Sequence, residues 1–381
     1  MSAQAACTKC GKPLQAGDVV CGACGAIVAG LAGAPSLVIP DVASTGAPAF
    51  VTGLGPKPFA PVADVGAALS PALNLTFGVS TVERGRPYRP VFAVGRGKEG
   101  TPELRMPFAL APLRGGEFLV LHFVEAGGPA EAWRCAADGR RASTIGPLPA
   151  GSEDGALDAP AALAVDPQGN LLVLDMGANC VRKFSPDGRP LARFGGAGTE
   201  HERLDGPQGL AADAAGSLYV ADTGNNRVMK WNAEGRFQWA LGLDRLDPDG
   251  GMASGSEPGE LDEPRGLCIG SEDAVYVADS NNHRIQVFSP TRMLEVVFGE
   301  EGTGPGQLYY PRVVRVNAQG DIFVADSGCG RVQKFKPDGQ FVYQVLAPSD
   351  TGLVDDFLVD PAGRLVLALR KADLVLGIEI E

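Results

Sequence analysis

Residues 217–231 read SLYVADTGNNRVMKW, residues 274–288 read AVYVADSNNHRIQVF, and residues 321–335 read DIFVADSGCGRVQKF. A looser copy, NLLVLDMGANCVRKF, occupies 170–184. Self-similarity at a spacing of about fifty residues marks a repeat architecture, in which each unit buries its apolar faces only by stacking on its neighbours. Outward from the quoted phrase, every unit shows the same order of signals. A proline opens it, at Pro107, Pro160, Pro207, Pro264 and Pro311. A short apolar run follows, then a turn that places Gly116, Gly169, Gly216, Gly320 and Gly363 at matching points. Glycine there supplies the positive φ of a tight hairpin. The next run is FLVL, LLVL, LYVA, VYVA, IFVA or LVLA. It is apolar at nearly every position, as a strand buried on both faces requires. After the Asp/Asn loop comes a third run such as RIQVF, then turns such as SPDG and KPDG, and a fourth run ending in FG or LG.

Four short antiparallel strands per unit, evenly spaced and joined by turn residues, are the signature of a propeller blade. The expected fold is all-β, a six-bladed β-propeller, with units beginning near 106, 157, 204, 261, 308 and 353. The last unit stops after its third strand, DLVLGIEIE, while YRPVFAVG at 88–95 matches a fourth strand. A ring over 85–381 closed by that N-terminal strand, 88–95, would leave no free sheet edge.

The units resemble NHL repeats. FGEEGTGPGQLYYPRVVRVNAQGDIFVADSGCGRVQKF spans nearly a whole family-like unit, and Asn282, His283 and Arg284 sit where the family has the Asn-His pair that names it. The likeness is strong over 157–348 and weak at both ends. His122 and Leu369 replace the repeated Asp, and Cys180 replaces the repeated Arg. The resemblance implies a ring that binds through a surface. Six-bladed relatives also include lyases and lactonases with a metal in the channel, and some animal NHL proteins bind RNA.

The repeated residues have a physical reading of their own. Asp222 ends a buried strand and Arg227 follows across a tight loop, so a charge-assisted bond between them, or to loop carbonyls, would pin that loop. Asp279 with Arg284 and Asp326 with Arg331 repeat the arrangement. A group needed once for chemistry has no reason to recur in three blades, so these pairs read as structural fasteners. Candidate contacts on the loop face are Asn225, Asn226, Asn282 and His283, with His122 and His201 placed on or near the same face.

The segment CTKCGKPLQAGDVVCGACG sets Cys7, Cys10, Cys21 and Cys24 as two C-x-x-C pairs. That spacing matches one structural zinc ion held by four thiolates, with Gly11 and Gly25 completing the knuckles. It resembles a zinc ribbon, over residues 1–25. Metal binding would supply the folding energy that so short a segment lacks. Residues 26–84, rich in Ala, Pro and Gly, read as a linker. Of the remaining cysteines, Cys135 and Cys268 fall in strands and read as buried, while Cys180 and Cys329 fall near loops and read as accessible.

Residues 1–84 carry four basic and four acidic side chains, so the whole net charge of −12 falls on residues 85–381. An acidic ring repels phosphate backbones, which argues against nucleic acid. The loop 243–263 holds seven acidic residues without the spacing of a helix-loop-helix calcium site. No nucleophile elbow, phosphate-cradling glycine loop or carboxylate pair stands out, and three histidines are few for a channel metal. No apolar run approaches the roughly eighteen residues of a spanning helix, and no basic segment leads into an apolar leader core. The expectation is a cytoplasmic scaffold, with no membrane segment, that binds a protein partner. The alternatives are a lyase or lactonase propeller and an RNA-binding ring.

Overall fold

The computed structural model describes residues 88–95, 103–125, 128–149, 157–243, 245–246, 251–346 and 353–380. The expected zinc ribbon, 1–25, and the linker, 26–84, lie outside the described residues. The described strands form six four-stranded antiparallel sheets, each in simple sequence order except the last. Blade 3 shows how the sequence builds one. Its strands are Gly209–Ala212, Leu218–Asp222, Arg227–Trp231 and Phe237–Gly242. The first hairpin turns because Asp213 Oδ1 accepts the backbone N–H groups of Ala215 and Ser217, at 3.0 and 2.8 Å, and Gly216 takes φ 86°. The third turn repeats the device with Asn232, which accepts from Glu234 and Arg236.

The inner strands are Arg105–Pro112, Pro160–Val165, Gly209–Ala212, Pro264–Ile269, Pro311–Val316 and Asp356–Val359. Each touches the inner strands of the blades on both sides, so the ring is closed. The sixth sheet orders Asp356–Val359, Leu365–Leu369 and Leu374–Ile380, and takes its outer strand from Tyr88–Val94. Tyr88 pairs with Ile380 and Val94 with Val375.

The core is not one cluster but six, one in each seam between blades. Alternate residues of a second strand serve opposite seams. Leu218 and Val220 pack toward blade 2, Tyr219 and Ala221 toward blade 4. That is why these strands are apolar at every position and wholly buried up to the terminal Asp. Each fully buried Leu or Phe contributes about 1.5–3 kcal/mol. Gly209 and Gly266 let inner strands approach closely, since a Cβ on either would overlap the carbonyl of Arg265 or Arg312 in the next blade. No helix among the described residues is long and apolar enough to cross a membrane.

Candidate functional site

One end of the ring gathers the loops between second and third strands together with the inter-blade loops, because both leave from the same strand ends. In blades 3, 4 and 5 the Arg Nε lies 2.8 Å from the carboxylate of Asp222, Asp279 or Asp326. The rest of each guanidinium donates to the preceding inter-blade loop. Arg227 reaches the carbonyls of Thr199, Glu200 and Arg203, and Arg284 those of Ser256, Glu257 and Glu260. The other carboxylate oxygen accepts a backbone N–H from that same loop, from Asp205, Asp262 or Tyr309 at 2.7–2.8 Å. Each pair therefore ties an inter-blade loop onto its own blade. Burial pushes the Asp222 carboxyl up to about 6, against the bonds from Asp205, Asn225 and Arg227 that hold it charged. Asp279 and Asp326 shift in the same direction, burial again leading.

The atypical blades solve the same problem differently. In blade 2, Cys180 is buried and not the accessible thiol expected, and Arg182, two residues on, supplies Nε to Asp175 at 3.0 Å. That slot belongs to Gln286 and Gln333 in blades 4 and 5, where each donates to the repeated Asp. In blade 1 the acid and base change places. His122 takes the Asp position and faces Glu131 across the strands, Nε2 to Oε1 3.2 Å, without hydrogen-bond alignment. Trp133 Nε1 donates to Glu131 at 2.7 Å, and Phe123 O lies 2.9 Å from His122 Nδ1. Burial holds the imidazole pKa below its ordinary range, opposed by Phe123 O and Glu131. In blade 6 both positions of the pair are apolar, Leu369 standing opposite Leu374.

His122, only 1% exposed, is thus a buried strand residue and not a loop contact. Asn225, also 1% exposed, donates to Gly198 O and Asp222 and is likewise a fastener. Asn282 is half-buried and does the same with Gly255 O and Asp279. The three histidines do not converge. His201 is exposed and packs on Phe237, and His283 sits against Tyr309 and Tyr310. Among the described residues no group of three or more His, Cys, Asp or Glu could hold a metal ion.

Asn226 and His283 belong to a second repeated device. Asn179, Asn226, His283 and Asp373 all take left-handed φ of 50–54° just before a third strand. Each side chain accepts a backbone N–H from the next blade, from Gly206, Glu263, Tyr310 and Met106 respectively, at 2.7–3.2 Å. These clasps span the seams 2–3, 3–4, 4–5 and 6–1. Gly330 takes the position in blade 5 and has no side chain to reach blade 6.

Residues that differ in kind from blade to blade line the channel. Strand register aligns Phe108, Ala161, Gln208, Arg265, Arg312 and Asp355, one per blade, and all six line the narrow channel. Its space is only ≈ 40 Å³, room for water. Arg265 pairs with Glu263 at 3.0 Å, and Arg315 with the buried Asp356 at 2.6 Å. Above it a cavity of ≈ 560 Å³ opens off-centre, lined by Phe108, Phe123, Leu157, Met176, Arg312 and Arg370 among others. The sequence carried a signal for this ring that spacing alone did not disclose. In five blades the lining residue directly follows the opening proline, at a repeat position filled by unlike side chains: Phe108, Ala161, Gln208, Arg265 and Arg312.

Exposed apolar side chains are unevenly placed. Val124, Met176, Leu246, Tyr309, Tyr310 and Leu353 lie on this loop face, whereas Met293 alone lies on the opposite one among the described residues. The rest are on outer strands. His283 stacks on Tyr309 with centroids 5.4 Å apart and meets Tyr310 edge-on at 4.6 Å, giving an aromatic knot over the blade 4–5 seam.

Comparison with known proteins agrees with this architecture. The family model described as NHL repeat matches residues 204–231 and 261–288. No curated protein matches the chain by sequence. Among solved structures, selenomethionine-substituted virginiamycin B lyase from Staphylococcus aureus superposes with a TM-score of 0.52 at 13% identity, covering 77% of this chain and 100% of that one. A structural genomics protein of unknown function from Bacteroides thetaiotaomicron gives 0.51 at 16% identity, covering 79% of this chain and 75% of that one. A streptogramin B lyase structure gives 0.50 at 14%, covering 76% and 98%. At such identities these likenesses concern the fold alone. The chain carries NHL repeats in a six-bladed propeller.

Proposed function

We propose that this protein is a binding scaffold whose ring holds a protein partner on the loop face, with a zinc-stabilised segment at Cys7, Cys10, Cys21 and Cys24 as a second module. The observation that carries the reading is the placement of exposed apolar side chains, six on that face against one on the other among the described residues. Aromatic groups with polar tips are what partner interfaces concentrate. Tyr309 and Tyr310 are held by His283 and by the tie from Asp326, so binding them orders little that is loose. The acidic ring favours protein over RNA. For the N-terminal segment, the support is the donor set itself, four cysteines in two C-x-x-C pairs.

Affinity capture from source lysate tests the reading with three forms of the full chain: wild type, Tyr309→Ala/Tyr310→Ala, and Met293→Ala on the opposite face. A protein held by wild type and Met293→Ala but lost by the double variant is expected. Equal retention by all three, or capture abolished by nuclease, would sink it. A metal beyond the zinc, kept when the cysteine segment is removed, would favour the lyase or lactonase alternative.

A further inference from the structure

The cavity above the channel is separate from the aromatic knot and points to a second kind of ligand. At ≈ 560 Å³ it lies within the roughly 300–1,000 Å³ of small-molecule sites. Phe108, Phe123, Leu157 and Met176 give it an apolar wall. Arg312 and Arg370, from blades 5 and 6, add two guanidinium groups.

Arg370 stands in a slot that other blades use for closure. Thr223 there donates to Pro264 O at 2.8 Å, and Ser280 to Pro311 O at 2.5 Å. Blade 6 instead places a cation 5.5 Å from the Phe108 ring centre and 5.8 Å from that of Phe123. None of the described residues accepts a hydrogen bond from its side chain. Arg312 is nearly as free, its nearest acid, Asp355, lying 3.8 Å away and beyond hydrogen-bond reach. Asp355 is engaged elsewhere, accepting the Arg370 backbone N–H at 3.1 Å. Burial pushes its carboxyl up, against the charges of Arg312 and Arg370, and a single carboxylate facing two guanidinium groups leaves a net positive charge. Unspent guanidinium donors beside an apolar wall fit a carboxylate with an apolar body. Asp158, exposed at the rim, disfavours a second negative charge.

We propose that this cavity binds a small organic monocarboxylate, its carboxylate held by Arg312 and Arg370 and its apolar body laid against Phe108, Phe123 and Leu157. Titration calorimetry on the full chain with 3-phenylpropionate, and with its neutral amide, tests this. Saturable binding of the carboxylate is expected, at least ten-fold tighter than the amide. Arg370→Met and Arg312→Met should each weaken it ten-fold or more. Arg265→Met, paired elsewhere in the ring, should leave it unchanged. Should Arg370→Met melt early, Arg312→Met decides. Tyr309→Ala/Tyr310→Ala should bind as wild type, which keeps this site distinct from the partner surface. Absence of saturable binding, equal binding of acid and amide, or full affinity in a folded Arg312→Met would overturn the proposal.

Discussion

At the scale of single residues, the repeated Asp and Arg act as ties. Arg227 is 2% exposed and bonds both Asp222 and three loop carbonyls, so removing it strands a buried carboxylate. Arg227→Leu should cost about 3–5 kcal/mol in urea unfolding. Asp222→Leu/Arg227→Leu should cost less than that single change, since blade 6 already closes with Leu369 against Leu374. A double variant worse than Arg227→Leu would show that the loop ties, not the ion pair, dominate. The pH dependence has a definite sign. With its pKa raised from 3.8 to about 6, folded Asp222 keeps a proton that the unfolded chain has lost. Its contribution is therefore full below pH about 4 and falls as the pH rises to about 6. The stability deficit of Asp222→Asn should be larger at pH 4 than at pH 7, by about 2 kcal/mol. Equal deficits would contradict the raised carboxyl. The Asp222–Arg227 spacing can be read from sequence because both ends lie on one tight loop. Glu131 opposite His122 and Arg182 in place of Cys180 could not be read, because each partner is chosen by strand register and not by the repeat.

At the scale of elements, closure rests on strands that meet from distant parts of the chain. Tyr88–Val94 pairs with Leu374–Ile380, and Phe92 packs over Gly377 and stacks on Phe118 at 5.9 Å. A chain beginning at residue 97 loses that strand and exposes an edge that invites pairing with other copies. It should melt at lower temperature and self-associate on size-exclusion chromatography, while a chain beginning at 87 should do neither. Matching behaviour of the two would show that the strand does not close the ring. Second strands were legible as continuous apolar runs because each serves two seams. The channel residues were not, because the position after the proline looks like any strand residue until register and ring closure place it on the axis. Gly266 is a related case, a glycine needed for the approach of the Arg312 carbonyl and not for a turn.

At the scale of the whole molecule, the ring is a stiff frame with two unlike ends. Fasteners, clasps and inter-blade loops all gather at one end, and so do six of the exposed apolar side chains among the described residues. Frame and face are thus built from the same loops, and in the proposed scaffold specificity would fall to what differs between blades: Tyr309 and Tyr310 on the rim, Phe108, Arg312 and Asp355 at the axis. The N-terminal segment adds a separable prediction. Elemental analysis of the purified chain should give one zinc per chain, lost in Cys7→Ser while the propeller's unfolding transition is unchanged. Binding through the loop face is tested by site-specific photo-crosslinking in source cells, with a photoreactive side chain carried at position Tyr310 or at Met293. A discrete protein adduct is expected from Tyr310 and none from Met293. Adducts of equal yield from both positions, or from Met293 alone, would contradict loop-face binding.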